Sequence, residues 1–324
     1  MSGRFSVLLA LLAWTGLQPA AAAPAAFSAD GSVVYFSAYS PDDLSVIGEL
    51  SLETGSVRLR RLTGAGPIRD IEGVATLGDG CVLLLTGKAL WSWDPRTEAI
   101  SRLQDCPEGE TFRDMAAWAE TGRILITSSL ETPDDTGHTG QVRVAESPQG
   151  PWRSVWMRRL HRLESPVFLN ADSLIFGAEG DLWMGSLEAD DNLESGPRFI
   201  LAANRCAPLA DRETYGGTPS QVGVSELAVS HGKVYAHVSR MGGSGWGDII
   251  RLDLPKPVEG GLRQRYTQYQ ALLGSVEFLT ENPTIAFLCQ SPDGTKIVYS
   301  DGNGPNRTFY VVENNGDPKP VPAR

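Results

Sequence analysis

Closely spaced cysteines, clustered histidines, basic runs and long apolar stretches are all missing from this sequence, and each absence removes a class of function. Cys81, Cys106, Cys206 and Cys289 never approach the C-x-x-C spacing of a zinc or thiol-redox site. They leave two readings open, disulfides of unassigned pairing or buried free thiols. His138, His161, His231 and His237 are scattered, with His231 in a turn pattern and His237 in a strand pattern. Structural or surface roles suit them better than metal ligation. With 28 basic and 39 acidic side chains the formal net charge is −11. No Lys/Arg-rich segment interrupts that acidity, so the field repels nucleic acid and anionic lipid, and nucleic-acid binding is not expected. A serine nucleophile would need a G-x-S-x-G elbow. Gly242-Gly243-Ser244-Gly245 shares only its composition and reads as a flexible loop.

The most apolar stretch, Phe5 to Trp14, is about half the roughly 20 residues needed to cross a bilayer. Arg4 precedes it, Gly16 to Pro19 breaks it, and Ala20 to Ala23 supply small residues for cleavage. This is the pattern of a signal peptide over residues 1–22, cut after Ala22 or Ala23. The expectation is a periplasmic or extracellular protein with no transmembrane anchor once the signal is removed. Residues 23–324 then form a single domain, and 41% hydrophobic content is enough for a substantial core.

What is present is a repeat. A turn centred on Asp-Gly or an equivalent pair is followed by four or five apolar or β-branched residues and usually a closing Ser or Thr. The copies are Phe27 to Ser37, Thr76 to Thr86, Trp118 to Ser128 and Gln290 to Ser300, with weaker ones at Phe168 to Ala178 and Ala228 to Ser239. The turn positions Gly31, Gly80, Gly122, Asp172, Gly232 and Gly294 are spaced by roughly 40 to 60 residues. Asp-Gly between apolar runs signals a hairpin, because glycine accepts the positive φ of a tight turn. Further strand patterns follow each turn, as at Ile47 to Leu52, Leu90 to Trp93 and Phe309 to Val312. The prediction is an all-β, six-bladed β-propeller of four-stranded antiparallel blades, with a short helix around Tyr266 to Leu273. No strand exchange between the chain ends is visible, so blades one and six should meet through their faces alone.

The segment Ser291-Pro292-Asp293-Gly294-Thr295-Lys296-Ile297-Val298-Tyr299-Ser300 resembles the repeat of TolB-type periplasmic propellers, and Ser28-Ala29-Asp30-Gly31 is similar with alanine for proline. The resemblance covers about a quarter of each blade and is specific for architecture rather than activity. It implies a docking or ligand-binding platform.

In such a ring, the loops between second and third strands and the loops between blades share one face. That face carries the longer insertions: Ser37 to Leu44, Leu130 to Gly140, Ala203 to Gly223, Arg240 to Gly247 and Gln264 to Pro283. Candidate ligand-binding residues on it are Asp134, Asp135, His138, Tyr215 and Trp246, the last two as an aromatic platform. A second set lies where the inner strands begin. Ile68-Arg69-Asp70-Ile71-Glu72 resembles Phe112-Arg113-Asp114-Met115, and later blades offer Glu164 and Glu226. Asp70, Asp114, Glu164 and Glu226 could converge on one channel mouth and hold a cation such as calcium. The other reading is inter-blade pairing through Arg69 and Arg113. Two functions follow. One is a binding or docking module for an envelope or extracellular protein or a small ligand. The other is a metal-dependent hydrolase of the lactonase or esterase type, with no catalytic residue singled out.

Overall fold

A computed structural model describes residues 24–38, 46–62, 68, 70–131, 138–158, 163–178, 181–187, 198–201, 222–240, 246–254, 271–272, 274–280, 284–285, 287–301 and 308–322. Their strands fall into six antiparallel sheets, each made of strands consecutive in sequence. Blade one holds β1 (Ala25–Phe27), β2 (Val33–Ala38), β3 (Val46–Ser51) and β4 (Val57–Arg61). Blade two holds β5 (Ile71–Thr76), β6 (Val82–Thr86), β7 (Ala89–Trp93) and β8 (Ile100–Asp105). In blade three stand β9 (Glu110–Trp118), β10 (Arg123–Glu131), β11 (His138–Ala145) and β12 (Arg153–Arg158). Blade four has β13 (Leu163–Asn170), β14 (Ser173–Ala178), β15 (Asp181–Ser186) and β16 (Arg198–Leu201). Blade five is β17 (Val222–Ser230), β18 (Lys233–Arg240), β19 (Trp246–Asp253), β20 (Glu277–Phe278) and β21 (Thr284–Ile285). Blade six closes the chain with β22 (Leu288–Gln290), β23 (Lys296–Asp301), β24 (Thr308–Glu313) and β25 (Lys319–Pro320).

The first strands touch one another in a closed cycle, β1 to β5, β9, β13, β17, β22 and back to β1. They form the inner ring of a six-bladed β-propeller. The second strand of each blade is sandwiched between two neighbours, which explains its continuous apolar run: successive side chains point to opposite faces and both faces are covered. In β6, Val82 and Leu84 join a cluster with Tyr35 and Ile47 of blade one, while Leu83 and Leu85 join Ile124 and Ile126 of blade three. In β10, Leu125 instead packs with Leu174 and Phe176 of blade four. Six such clusters fill the six interfaces, each drawing on two adjacent blades. Trp93 lies in this core, and Trp91, Trp118 and Trp183 pack half-buried against it.

The recurring turn is built by its own side chains. In blade one, Ser28 Oγ donates to Asp30 Oδ1 at 2.6 Å and accepts from the Val33 N–H at 3.0 Å, while the Ser32 N–H donates to Asp30 Oδ1 at 3.0 Å. Ser291, Asp293, Thr295 and Lys296 repeat the arrangement in blade six. Gly31 and Gly294 take the positive φ, 69° and 66°, that lets the loop close. Asp172 is the exception among the six turn positions: φ is not positive there, and Asn170 caps the turn by accepting from the Asp172 N–H at 2.8 Å.

Ring closure uses packing of faces. Phe27, Val34, Phe36 and Leu50 of blade one meet Phe287, Cys289 and Val298 at blade six, and among the described residues no strand is shared between the two sheets. The Phe36 and Phe287 rings stack at 5.2 Å and 18°. Polar ties cross other interfaces: Arg60 bridges to Glu98, Arg123 reaches Asp172 at 3.8 Å, and Arg251 donates to the carbonyls of Asn315 and Gly316 at 2.8 and 3.1 Å.

One expectation needs correction. Gln264 to Pro283 is not simply an inter-blade loop, because Phe278 and Glu277 pair with Ile250 and Arg251 as the outer strand of blade five. That strand resumes at Thr284 and Ile285, opposite Gly247 and Trp246. The connection from Leu254 to Val276 therefore joins the third strand to the fourth and belongs, by topology, to the turn side of the ring. Helical backbone occurs within it at Ala271, Leu272 and Gly274, where Leu272 is buried against blades four and five.

Candidate functional site

The inner strands of blades two to five each carry a bulge that interrupts the ladder to the second strand, at Glu72 in blade two, Arg113 in blade three, Ser165-Pro166 in blade four and Ser225 in blade five. Bulges re-aim side chains, and Asp114 and Glu226, which follow the bulges of blades three and five, line the central channel. Asp114 and Glu226 each follow the bulge and each precede the end of their strand, Trp118 or Ser230, by the same count. The same count back from Thr76 reaches Glu72 rather than Asp70, and back from Asn170 it reaches Pro166 rather than Glu164. Asp70 stands exposed just ahead of β5 with φ 53°. Glu164 is in β13 opposite Gly177, its side chain outside the described residues.

Asp114 and Glu226 are brought together by a residue that the sequence did not advertise. Ser165, on the blade between them, is buried and has φ 47°. Its N–H donates to Asp114 Oδ2 at 2.6 Å, and its Oγ donates to Glu226 Oε2 at 3.2 Å. The other Asp114 oxygen accepts from the Met115 N–H at 2.7 Å. A serine with positive φ directly before a proline, Pro166, is held in a conformation that both its own side chain and the proline disfavour. Local strain of this kind costs about 1–3 kcal/mol and persists only where surrounding contacts enforce it.

These three residues border a channel cavity of about 150 Å³ to which all six inner strands contribute. That is below the about 300 Å³ at which drug-sized ligands begin to be enclosed, so the cavity suits a small polar group or one end of a larger molecule. Its lining also includes Thr76, Cys289 and Gln290, and runs to the turn residues Glu120 and Pro292. Burial, and secondarily the Glu226 carboxylate, push the Cys289 thiol far up, so it stays protonated and is no nucleophile at neutral pH. Among the described residues, Arg113 Nε donates to Ser129 Oγ at 3.0 Å, within blade three. Arg69 lies outside the described residues.

Among the described residues no group of three or more His, Cys, Asp or Glu side chains is placed to hold a metal ion. Calcium takes about six to eight oxygens. Two carboxylates and a serine do not by themselves supply that set, and the side chain of Glu164 is not described.

The candidates on the insertion-rich face are only partly visible. Asp134, Asp135 and Tyr215 lie outside the described residues. His138 begins β11 opposite Glu131, and Trp246 begins β19 opposite Ile285, both without a described side chain. His237 is fully buried in β18, directly opposite Glu226 in register. Its imidazole is accommodated by Gly247, where a Cβ would fall 2.8 Å from His237 Nε2 and 2.0 Å from the Val238 carbonyl oxygen.

No family model matches the sequence, and no curated protein matches it. Solved structures share the fold. A gluconolactonase from Xanthomonas campestris superposes with TM-score 0.57 at 12% identity, over 90% of this chain and 85% of the other. TolB from Acinetobacter baumannii gives 0.54 at 12% identity over 91% of this chain and 61% of TolB. An oligogalacturonate lyase in complex with manganese gives 0.53 at 13% identity, over 93% and 76%. At these identities the likeness establishes the propeller architecture, with TolB-like blades, and nothing finer. No helix among the described residues is long and apolar enough to cross a membrane.

Proposed function

We propose that this chain is an exported binding module, a rigid propeller that recognises a small ligand or an envelope protein on its insertion-rich face and anchors a cationic group of that partner between Asp114 and Glu226. The observation that carries this reading is Ser165, buried and strained between the two carboxylates. Strain maintained at a channel supports pre-organisation for a ligand, because a blade interface alone could be filled by an unstrained residue. Export rests on the signal-peptide pattern of residues 1–22. Asp134, Asp135, His138, Tyr215 and Trp246 remain the proposed contacts on the outer loops.

The test is capture of a partner from an envelope extract by the full chain, compared with a variant shortened between Arg240 and Gly247. The module reading expects one dominant partner lost on shortening; retention of every partner by the shortened chain contradicts recognition through that loop. The second reading, a metal-dependent lactonase or esterase, draws support from the same carboxylate pair at the channel. It expects lactone hydrolysis that is abolished by chelator and by Asp114→Asn, and chelator-insensitive stability and activity would dismiss it.

A further inference from the structure

The turn joining β24 to β25 contains Asn315-Gly316, the residue pair at which an asparagine side chain is most easily attacked by the following backbone nitrogen, since glycine offers no side chain to hinder it. We propose that Asn315 is a deamidation site latched shut by the seam between blades five and six, and that its conversion unlatches that seam. The attacking nitrogen and both polar atoms of the side-chain amide are hydrogen-bonded. Asn315 Oδ1 accepts from Tyr235 Oη at 3.0 Å, and Nδ2 donates to the His231 carbonyl at 2.9 Å, both on blade five. The attacking nitrogen, the Gly316 N–H, donates to the Glu313 carbonyl at 2.9 Å. Arg251 Nη1 fixes the backbone by donating to the carbonyls of residues 315 and 316. Asn314 and Asn315 have φ 51° and 57°, a tight turn that holds the side chain across the seam. Gly316 is exposed, so water reaches the site as soon as the latch opens.

The chemistry needs only water. The Gly316 nitrogen attacks Asn315 Cγ, the Cγ–Nδ2 bond breaks, and ammonia leaves with the proton that the amide nitrogen gives up. Water then opens the cyclic imide at either carbonyl, giving aspartate or isoaspartate. Aspartate replaces the Nδ2 donor with an oxygen facing the His231 carbonyl, so two acceptors confront each other. Isoaspartate routes the backbone between positions 315 and 316 through one extra carbon and turns the residue-315 carbonyl that Arg251 holds into a free carboxylate, so the spacing of the two acceptors under Arg251 changes. Either product weakens the seam whose inner-strand residues include Glu226 and Cys289.

Peptide mass mapping of the full chain, incubated at mildly alkaline pH, tests this. Deamidation at Asn315 is expected about 100-fold slower in the folded protein than in urea, because reaction requires local opening of several hydrogen bonds. Tyr235→Phe, which removes little volume but deletes the hydroxyl that bonds Asn315 and also contacts Arg251, should speed it about tenfold. A folded rate within about twofold of the urea rate, or a folded Tyr235→Phe protein with an unchanged rate, overturns the proposal. Should Tyr235→Phe fail to fold, Asn315→Asp supplies the second measurement: amide exchange in β17 and β24 must rise relative to β10, and unchanged exchange there equally overturns it.

Discussion

Removing the Phe287 ring probes the one interface whose two blades have no direct covalent connection. Phe287 is 1% exposed and stacks on Phe36 at 5.2 Å and on Phe309 at 5.7 Å. Truncating a buried phenylalanine to alanine costs about 3–5 kcal/mol, with each aromatic pair contributing about 0.5–1.5 kcal/mol of it. Unfolding entropy of about 2.1 cal/mol/K per residue implies that a domain of roughly 300 residues loses about 5–8 °C of Tm for Phe287→Ala. A comparable cavity at an interior interface, Leu125→Ala, should lower Tm to a similar degree, since Leu125 is fully buried. The two variants differ in where the loss appears. At the closure seam no connecting segment holds the blades, so amide exchange in β1, β2 and β23 should rise before the rest of the ring in Phe287→Ala. Differential scanning fluorimetry with exchange mass spectrometry reads both effects. A Tm loss under about 2 °C, or exchange rising equally in all six blades, would refute closure by face packing.

Three further outcomes follow from particular contacts. At Gly48 a Cβ would sit 2.2 Å from Phe36 Cζ, so Gly48→Ala must displace the ring that closes the seam and should cost about 1–3 kcal/mol in urea unfolding. The Asp30 carboxyl is held below its ordinary 3.8 chiefly by Ser28 and Ser32, and Asp293 by Ser291 and Thr295. A depressed folded pKa gives stability that is present above the unfolded value and lost as pH falls through the folded one. The wild type should therefore lose Tm below about pH 4, and Asp30→Asn/Asp293→Asn should show a shallower fall; parallel curves would remove these turns as the cause. Ser165→Ala keeps the backbone bond to Asp114 but deletes the one to Glu226, so it should fold and weaken any ligand held by the pair, while an unaltered titration would make Ser165 purely structural.

The fold was legible in the sequence because its signals are local. Each Asp-Gly turn carries its own hydrogen-bond chemistry, as Ser28 and Asp30 demonstrate, and each second strand announces burial on both faces by an unbroken apolar run such as Val82 to Leu85. The channel was only half legible. Asp114 and Glu226 were identifiable as carboxylates near the start of inner strands. Counting back from the end of each strand aligns them with Glu72, two residues beyond the Asp70 that the Arg-Asp motif singles out, so the motif's likeness pointed to the wrong carboxylate in blade two. Ser165 was invisible because its role comes from a positive φ imposed by neighbours rather than from its residue type. The outer strand of blade five escaped notice because it is broken into two short pieces, Glu277–Phe278 and Thr284–Ile285, too brief to display a period.

Calorimetric titration of the wild type and of Asp114→Asn/Glu226→Gln with spermidine, and separately with calcium chloride, bears most directly on the channel as an anchor for positive charge. The account predicts that one of these probes binds the wild type and loses at least about tenfold in affinity in the double variant, the equivalent of one charge-assisted hydrogen bond. Equal binding by both proteins, or no heat from either probe with the wild type, would contradict it.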